Sequence, residues 1–376
     1  MKFKAFSLAC SFLIFAANCQ EKSIEVLETK FKTETVFKGS DIIWGMDFLP
    51  SGEIIYTEKK GKIFTLKEGV ATEITGFPDV HSANQGGLAD IKLHPKYKSN
   101  GWIYASYASL PEGSKDAQSN LVRFKISKNK IKDFEPIFKT EASNGWKGHF
   151  GGRIAFDKAG MLYFSVGEGG QNSRGGRNSY NQNAQNTKIA WGKIHRMTDT
   201  GKIPTDNPIV GDNTEPTTIF SYGHRNPQGL VYNPLTDQIL ETEHGPKGGD
   251  ELNVIQKGKN YGWPWVSFGV NYDGVKVTDN PIMEGIEAPI NYWVPSIGTC
   301  GLTVLTQDKF KGWKGNLLAG GLAKEYLARL EIKDGKVLKE QKLLEKHRVR
   351  CVIEGPDGNI YVAVENPGRI IKISPE

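Results

Sequence analysis

The chemistry-bearing side chains of this sequence sit in a few short glycine-rich segments. His149 lies in Gly148-His-Phe-Gly-Gly-Arg-Ile154, and nineteen residues later Glu168 closes the run Ser165-Val-Gly-Glu168. A histidine beside a carboxylate can be held in one tautomer and aimed to take a proton; alone, the same histidine is more simply a satisfied side chain capping a turn. Arg225, Arg348 and Arg350 supply guanidiniums that, if they met at one mouth, would call for a multiply anionic ligand, since like charges repel without one. Taken singly, each reads as a surface arginine. The segment Glu243-His-Gly-Pro-Lys-Gly-Gly-Asp-Glu251 offers main-chain oxygens at Gly245 and Pro246 and carboxylates at Asp250 and Glu251. These are donors that calcium accepts, although the spacing is not that of an EF-hand and acidic turns are often only solvated. The run Gly167 to Arg177 lacks the helix and lysine of a phosphate loop and reads as a connection.

Residues so far apart need a scaffold that returns to one place. No window of a dozen residues keeps a clean 3.6 period, and Gly or Pro interrupts most apolar runs, so the chain reads as β. A turn followed by a short apolar strand recurs six times, ending at Tyr56, Tyr104, Tyr163, Leu240, Leu318 and Tyr361, each time with a second amphipathic strand behind it. Recurring sheet units without helical spacers predict an all-β, six-bladed β-propeller; a two-sheet sandwich would not require one motif to recur. The expected organisation is a signal segment over 1–19, a tail or outer strand over 20–40 and one propeller over 41–376, closed by strands from both termini. Trp44, Gln85, His149, Arg225, Arg348 and Arg350 all fall at or just before the predicted innermost strands, and would ring one end of the axis.

Composition limits the alternatives. Of 376 residues, 38% are apolar and 24% charged, enough for a packed core, and the net charge of +6 is spread without blocks, which argues against a nucleic-acid groove or polybasic arm. Lys2 and Lys4 precede the apolar run Ala5 to Ala17, a secretory signal too short to span a bilayer. Cys19 after that run also fits a lipoprotein box, with Asn18 where a small residue is usual; the plainer reading is a cleaved signal without an anchor. The mature chain is expected outside the cytoplasm, periplasmic or tethered through lipid on Cys19. With no CxxC, zinc and redox-dithiol readings have no support, and Cys300 and Cys351 are either two separate buried thiols or a pair.

From about Ile42 to Ile373 the chain resembles the soluble pyrroloquinoline-quinone (PQQ) dependent glucose and sorbosone dehydrogenases, most of all their shorter bacterial relatives, the aldose sugar dehydrogenases. The likeness rests on Gln85-Gly-Gly-Leu88, His94-Pro95, Gly148 to Arg153, Tyr222-Gly-His-Arg-Asn-Pro-Gln-Gly-Leu230, Glu243 to Asn253, Asn260-Tyr-Gly-Trp-Pro264 and Arg348-Val-Arg350. It implies a six-bladed propeller in which His149 is the base that deprotonates the anomeric hydroxyl, with Glu168 steadying it. Gln85 would touch substrate and quinone, Arg225 would polarise the quinone oxygen, and Asn226, Arg348 and Arg350 would bind the cofactor. Gly245 and Pro246 would offer oxygens to an activating Ca2+, while Asp250, Glu251 and Tyr261 resemble ligands of structural calcium. The implied partners are an aldose and an electron acceptor, either a cytochrome or the quinone pool.

Three positions depart from the glucose enzymes. Gly148 replaces an acid beside the histidine, Ala323 stands near the cofactor-binding lysine with Lys324 one position off, and Cys351 replaces an acid after Arg350. The long insertions are absent, implying an open cleft, a wide substrate range and a monomer. The competing readings are a non-enzymatic propeller that binds a sugar or protein, a related dehydrogenase acting on sorbosone or other alcohols, and a calcium-dependent lactonase. The last needs several axial carboxylates where this chain has mainly Gln, His and Arg.

Overall fold

A computed structural model describes residues 30–169 and 174–376; the expected signal segment, with Cys10 and Cys19, lies outside them. The described chain forms six four-stranded antiparallel sheets, a six-bladed propeller. Within each blade the chain runs outward by hairpins, and the innermost strands Ile43–Phe48, Leu88–Leu93, Ile154–Phe156, Pro227–Asn233, Thr299–Val304 and Val349–Glu354 contact their neighbours around the axis. Phe31–Lys38 pairs antiparallel with Arg369–Pro375, so the sixth blade is built from both termini. The one helix among the described residues is a single turn, Tyr97–Asn100.

The recurring sequence motif is the second strand of each blade. Ile54–Glu58, Leu162–Val166 and Leu317–Gly321 are buried at every residue, because neighbouring blades pack on both of their faces, and a strand buried on both faces reads as a continuous apolar run. Outer strands face water and lose that signature: Lys130–Lys139 has no fully buried residue. Apolar clusters fill all six gaps between successive blades. Ala155, Tyr163 and Ile194 of the third blade, for example, meet Leu230, Ile239 and Ile255 of the fourth.

A shared irregularity aims the polar residues. In five blades the pairing between first and second strands shifts register, between Ile43 and Met46, Leu88 and Ile91, Pro227 and Gly229, Cys300 and Leu302, and Val349 and Cys351. A bulge bends the strand and re-aims its side chains, and the shifted residues include Trp44, Asp90, Gln228 and Arg350. Close approach of the inner strands requires glycine there: a Cβ on Gly45 would lie 2.7 Å from Asp90 Oδ1, and one on Gly301 would lie 2.8 Å from Cys351 Cα.

At the hub these residues converge on Arg153. Its guanidinium pairs with Asp90 at 2.9 Å, donates to the carbonyls of Gln228 at 2.9 Å and Arg350 at 3.0 Å, and lies 4.1 Å from the Trp44 ring. It also contacts Cys351 Sγ at 3.7 Å and Cys300 Sγ at 3.9 Å. Both cysteines are free, buried thiols. Arg153 therefore touches an inner-strand residue of every other blade. Removing one partner of a buried ion pair strands the other charge, which costs about 3–5 kcal/mol. Arg153→Met should lower unfolding stability by about that amount, measured by denaturant titration; an unchanged midpoint would show that the hub does not hold the ring.

Candidate active site

His149 sits in the loop that enters the third blade, with φ of +49°, followed by Gly151 and Gly152 at +67° and +105°. This turn buries the imidazole, 4% exposed, and points Nδ1 at Glu168 Oε1, 2.9 Å away. Glu168 is fully buried, and its Oε2 accepts the indole N–H of Trp263. The His149 backbone N–H donates to Gln85 Oε1 at 2.9 Å, and the Trp146 ring packs edge-on against the imidazole at 4.6 Å. With Glu168 ionised, Nδ1–H donates to it and Nε2 keeps a free lone pair, the arrangement of a general base. The same Trp146 accounts for Gly148: a Cβ there would fall 2.6 Å from the indole.

Burial disfavours charge on both partners. It holds His149 well below the ordinary imidazole range, with Arg225 and His244 adding to the effect. It pushes Glu168 up to about 8, against the pull of Arg225 and the Trp263 hydrogen bond. An unfolded glutamate titrates near 4.5, so between there and about 8 the native state keeps a proton that the unfolded chain releases. Through that window, rising pH costs this site stability.

Arg225 and Asn226 enter the fourth blade. The Arg225 backbone N–H donates to Glu243 Oε2, and its carbonyl accepts the Glu168 N–H at 2.8 Å. Its Nη1 donates to the carbonyls of His244 at 3.1 Å and Gly245 at 2.8 Å, with the guanidinium 5.0 Å from the Trp263 ring. Asn226 Oδ1 accepts the Gly151 N–H at 3.2 Å, whereas its buried Nδ2 has no partner among the described residues. Lys193 braces this wall from behind. Its buried Nζ donates to the carbonyls of Asn183, Ala184 and Trp191, and Asn183 Nδ2 donates to the Glu168 carbonyl. Burial lowers this lysine to about 7.

In front of the cluster lies a cavity of about 650 Å³, walled by Gln85, Gln228, Gly245, Pro246, Arg348 and Arg350, with Ala323 and Lys324 both at its margin. His149 and Arg225 are not among its lining residues: the His149 backbone N–H bonds Gln85 and the Arg225 guanidinium bonds the Gly245 carbonyl, and both of those partners line it. The arginines do not stand as an uncompensated cation cluster: Glu365 accepts from Arg348 Nε at 3.0 Å and from Arg350 Nε at 2.7 Å. Two guanidiniums against one carboxylate still leave a positive wall.

The expected metal ligands divide. Gly245 and Pro246 line the cavity, and the Gly245 carbonyl is shared with Arg225. Asp250 lines the same cavity, and its carboxylate also holds the loop together: Oδ1 accepts the Gly245 N–H at 3.0 Å, and Oδ2 accepts those of Gly298 and Thr299. The Tyr261 hydroxyl bonds Val254 and Gln256, and its ring stacks on His224. Glu251 faces Asn253 together with Glu241. Sequence reading passed over Trp263, although it lies within the Asn260 to Pro264 motif, and over Glu365, which no local pattern distinguishes.

The sequence model of the glucose/sorbosone dehydrogenase family matches residues 40–372. The aldose sugar dehydrogenase of Escherichia coli is 33% identical, over 97% of this chain and 98% of its own length. The crystal structure of the soluble Escherichia coli aldose sugar dehydrogenase in its apo form superimposes with a TM-score of 0.85, over 92% of this chain and 100% of that one. The PQQ-bound aldose sugar dehydrogenase of Streptomyces coelicolor, 26% identical, gives 0.74 over 93% and 99%.

Because the Trp263 N–H stabilises the ionised form of Glu168, Trp263→Phe should raise the Glu168 pKa further. A carbon-detected NMR titration of the Glu168 carboxyl reads this directly; an unmoved titration would show that the indole is only packing.

Proposed function

The chain belongs to the glucose/sorbosone dehydrogenase family, and we propose that it is a PQQ- and Ca2+-dependent aldose dehydrogenase that oxidises the anomeric C–OH to a lactone. The observation that carries this reading is the buried His149–Glu168 dyad, tied through Gln85 and through Arg225 and Gly245 to the wall of an arginine-lined cavity. The donor set suits the cofactor. Arg348 and Arg350 would meet its carboxylates, the unpartnered Asn226 Nδ2 would donate to a carbonyl, and Gly245 and Pro246, which line the cavity, would offer main-chain oxygens to Ca2+. When bound, the quinone supplies a two-electron acceptor and the cation its electrophilic activation.

The chain's own residues do the rest. His149 Nε2 takes the proton of the anomeric hydroxyl, Glu168 keeps Nδ1 protonated and stabilises the imidazolium that forms, and Trp263 holds the second carboxylate oxygen. The Arg225 guanidinium, fixed by two carbonyls, brings positive charge to the wall where negative charge would develop. The electron acceptor, a cytochrome or the quinone pool, export by the N-terminal segment with or without lipid on Cys19, and a monomeric state belong to the same proposal. A cofactor-free binding propeller is disfavoured by the buried unpartnered amide and the intact base.

Purified protein loaded with PQQ and Ca2+ is expected to reduce a dye with a panel of aldoses; no turnover, together with no cofactor-dependent absorbance or melting change, would remove this reading. His149→Ala should lower kcat about 10²–10⁴-fold with cofactor uptake largely kept, whereas Arg348→Ala should weaken uptake first. The working form of the dyad has lost one proton, so kcat/KM should rise with pH and level off above about 8. Glu168→Gln should abolish that limb; an unchanged pH profile in this variant would exclude the dyad as the base.

A further inference from the structure

The cavity in front of the candidate active site carries more positive charge than a neutral sugar calls for. Lys59, Lys247, Lys324, Arg348 and Arg350 line it, against Asp250 and Glu365. Both carboxylates are committed: Glu365 accepts from the two arginines, and Asp250 accepts the backbone N–H groups of Gly245, Gly298 and Thr299. Lys59 Nζ donates to the carbonyls of Ser82 and Asn84 at 3.2 and 2.9 Å. Lys247 and Lys324 are exposed, and neither forms an ion pair among the described residues. A cleft lined by one sign of charge concentrates ligands of the opposite sign.

The backbone that carries Lys247 is clamped. Lys247 and Val270 exchange both of their backbone hydrogen bonds, at 2.9 and 3.1 Å, and a Cβ on Gly269 would collide with the Gly248 carbonyl, so the two loops lie directly against each other. Two residues beyond Val270, Tyr272 lines the same cavity and is 71% exposed. Its neighbour Asn271, which is buried, ties the chain down: the Asn271 N–H donates to the Val275 carbonyl at 2.8 Å, and Oδ1 accepts the Gly175 N–H at 2.8 Å. A large ring held out from anchored backbone offers a flat apolar face to a ligand.

We propose that Lys247 and Tyr272 form a subsite for an aldose that carries a carboxylate, a uronic acid: the Lys247 ammonium meets the carboxylate, and the Tyr272 ring lies against the C–H face of the sugar. This rests on the dehydrogenase reading and names its substrate class. Lys247 comes from the fourth blade, between Gln238–Glu243 and Asp250–Ile255, whereas Arg348 and Arg350 come from the sixth and stay with the cofactor. A carboxylate is chemistry that cofactor and sugar share, and the assay below separates the two.

Protein loaded with PQQ and Ca2+ is assayed on glucuronate and on glucose with an uncharged dye, at low and at high ionic strength. At low salt, kcat/KM for glucuronate is expected to exceed that for glucose by about three- to tenfold, through KM, and the ratio should fall towards one as salt screens the lysine. Lys247→Gln should bring the ratio to about one at low salt, with cofactor affinity, read by absorbance titration, kept. Tyr272→Ala should raise KM for both sugars more than it lowers kcat, and Tyr272→Phe should restore it. Equal kcat/KM for the two sugars in wild type, or an advantage that survives Lys247→Gln, overturns the proposal. So does a Lys247→Gln protein that loses cofactor affinity but keeps the ratio, since the lysine would then serve the carboxylates of the cofactor. Methyl glucuronoside, blocked at C1, makes the test independent of turnover. Saturation-transfer NMR on the full chain without quinone should show it binding more tightly than methyl glucoside, with Lys247→Gln removing the difference. If no sugar is turned over but the glycosides are distinguished, the dehydrogenase reading falls and the subsite stands; if they bind alike, the subsite is overturned.

Discussion

The buried guanidinium of Arg153 is the interaction on which the rest of this molecule depends. A ring of six sheets has apolar contacts between adjacent blades but none that span its axis, and the inner strands there expose backbone carbonyls and bulged side chains that must be satisfied. Arg153 answers both needs at once, pairing with Asp90, donating to the Gln228 and Arg350 carbonyls, and lying against Trp44 and two thiols. A buried charge is tolerated only with such full compensation. The result is a hub filled by a hydrogen-bonded cation, which bonds the backbone of Arg350 and so couples hub and cavity wall.

The wall of the candidate active site repeats this logic. Its dyad sits where burial disfavours every charged form, so the His149 imidazole is kept neutral and Glu168 retains a proton well above the usual carboxylate range. On the proposed reading, the dyad becomes the working base as that proton leaves. Trp263 is the joint of the site, since its N–H holds Glu168 while its ring lies beneath the Arg225 guanidinium. On the opposite wall, Glu365 fixes Arg348 and Arg350 in place before any ligand arrives. That is pre-organisation, since the positive field at the wall does not depend on a flexible side chain finding its pose.

Much of this was legible from residues alone, for a physical reason. Second strands are buried on both faces, so their unbroken apolar runs announced six units, and the innermost strand before each run located Gln85, His149, Arg225 and Arg348 at one end of the axis. The pairing of His149 with Glu168 was one of two readings that their spacing left open, and the family resemblance favoured it. What escaped was long-range side-chain compensation. Glu365 lies fifteen residues beyond Arg350 with no motif around it, the three backbone N–H groups that Asp250 serves come from two separate loops, and the bulges that aim Trp44 and Gln228 have no sequence mark. Cys300 and Cys351 lie in adjacent inner strands, yet the sequence could not decide between a disulfide and two thiols. Arg153 came into view only within a glycine-rich motif, because nothing local marks a residue whose partners come from five other blades.

The most direct test of the account is a single-turnover measurement of quinone reduction in protein loaded with PQQ and Ca2+, with an aldose carrying either hydrogen or deuterium at C1. If hydride leaves C1 as the base takes the hydroxyl proton, as proposed, deuteration slows the step severalfold. Identical rates with the two sugars, with the quinone reduced at full speed in both, would contradict it.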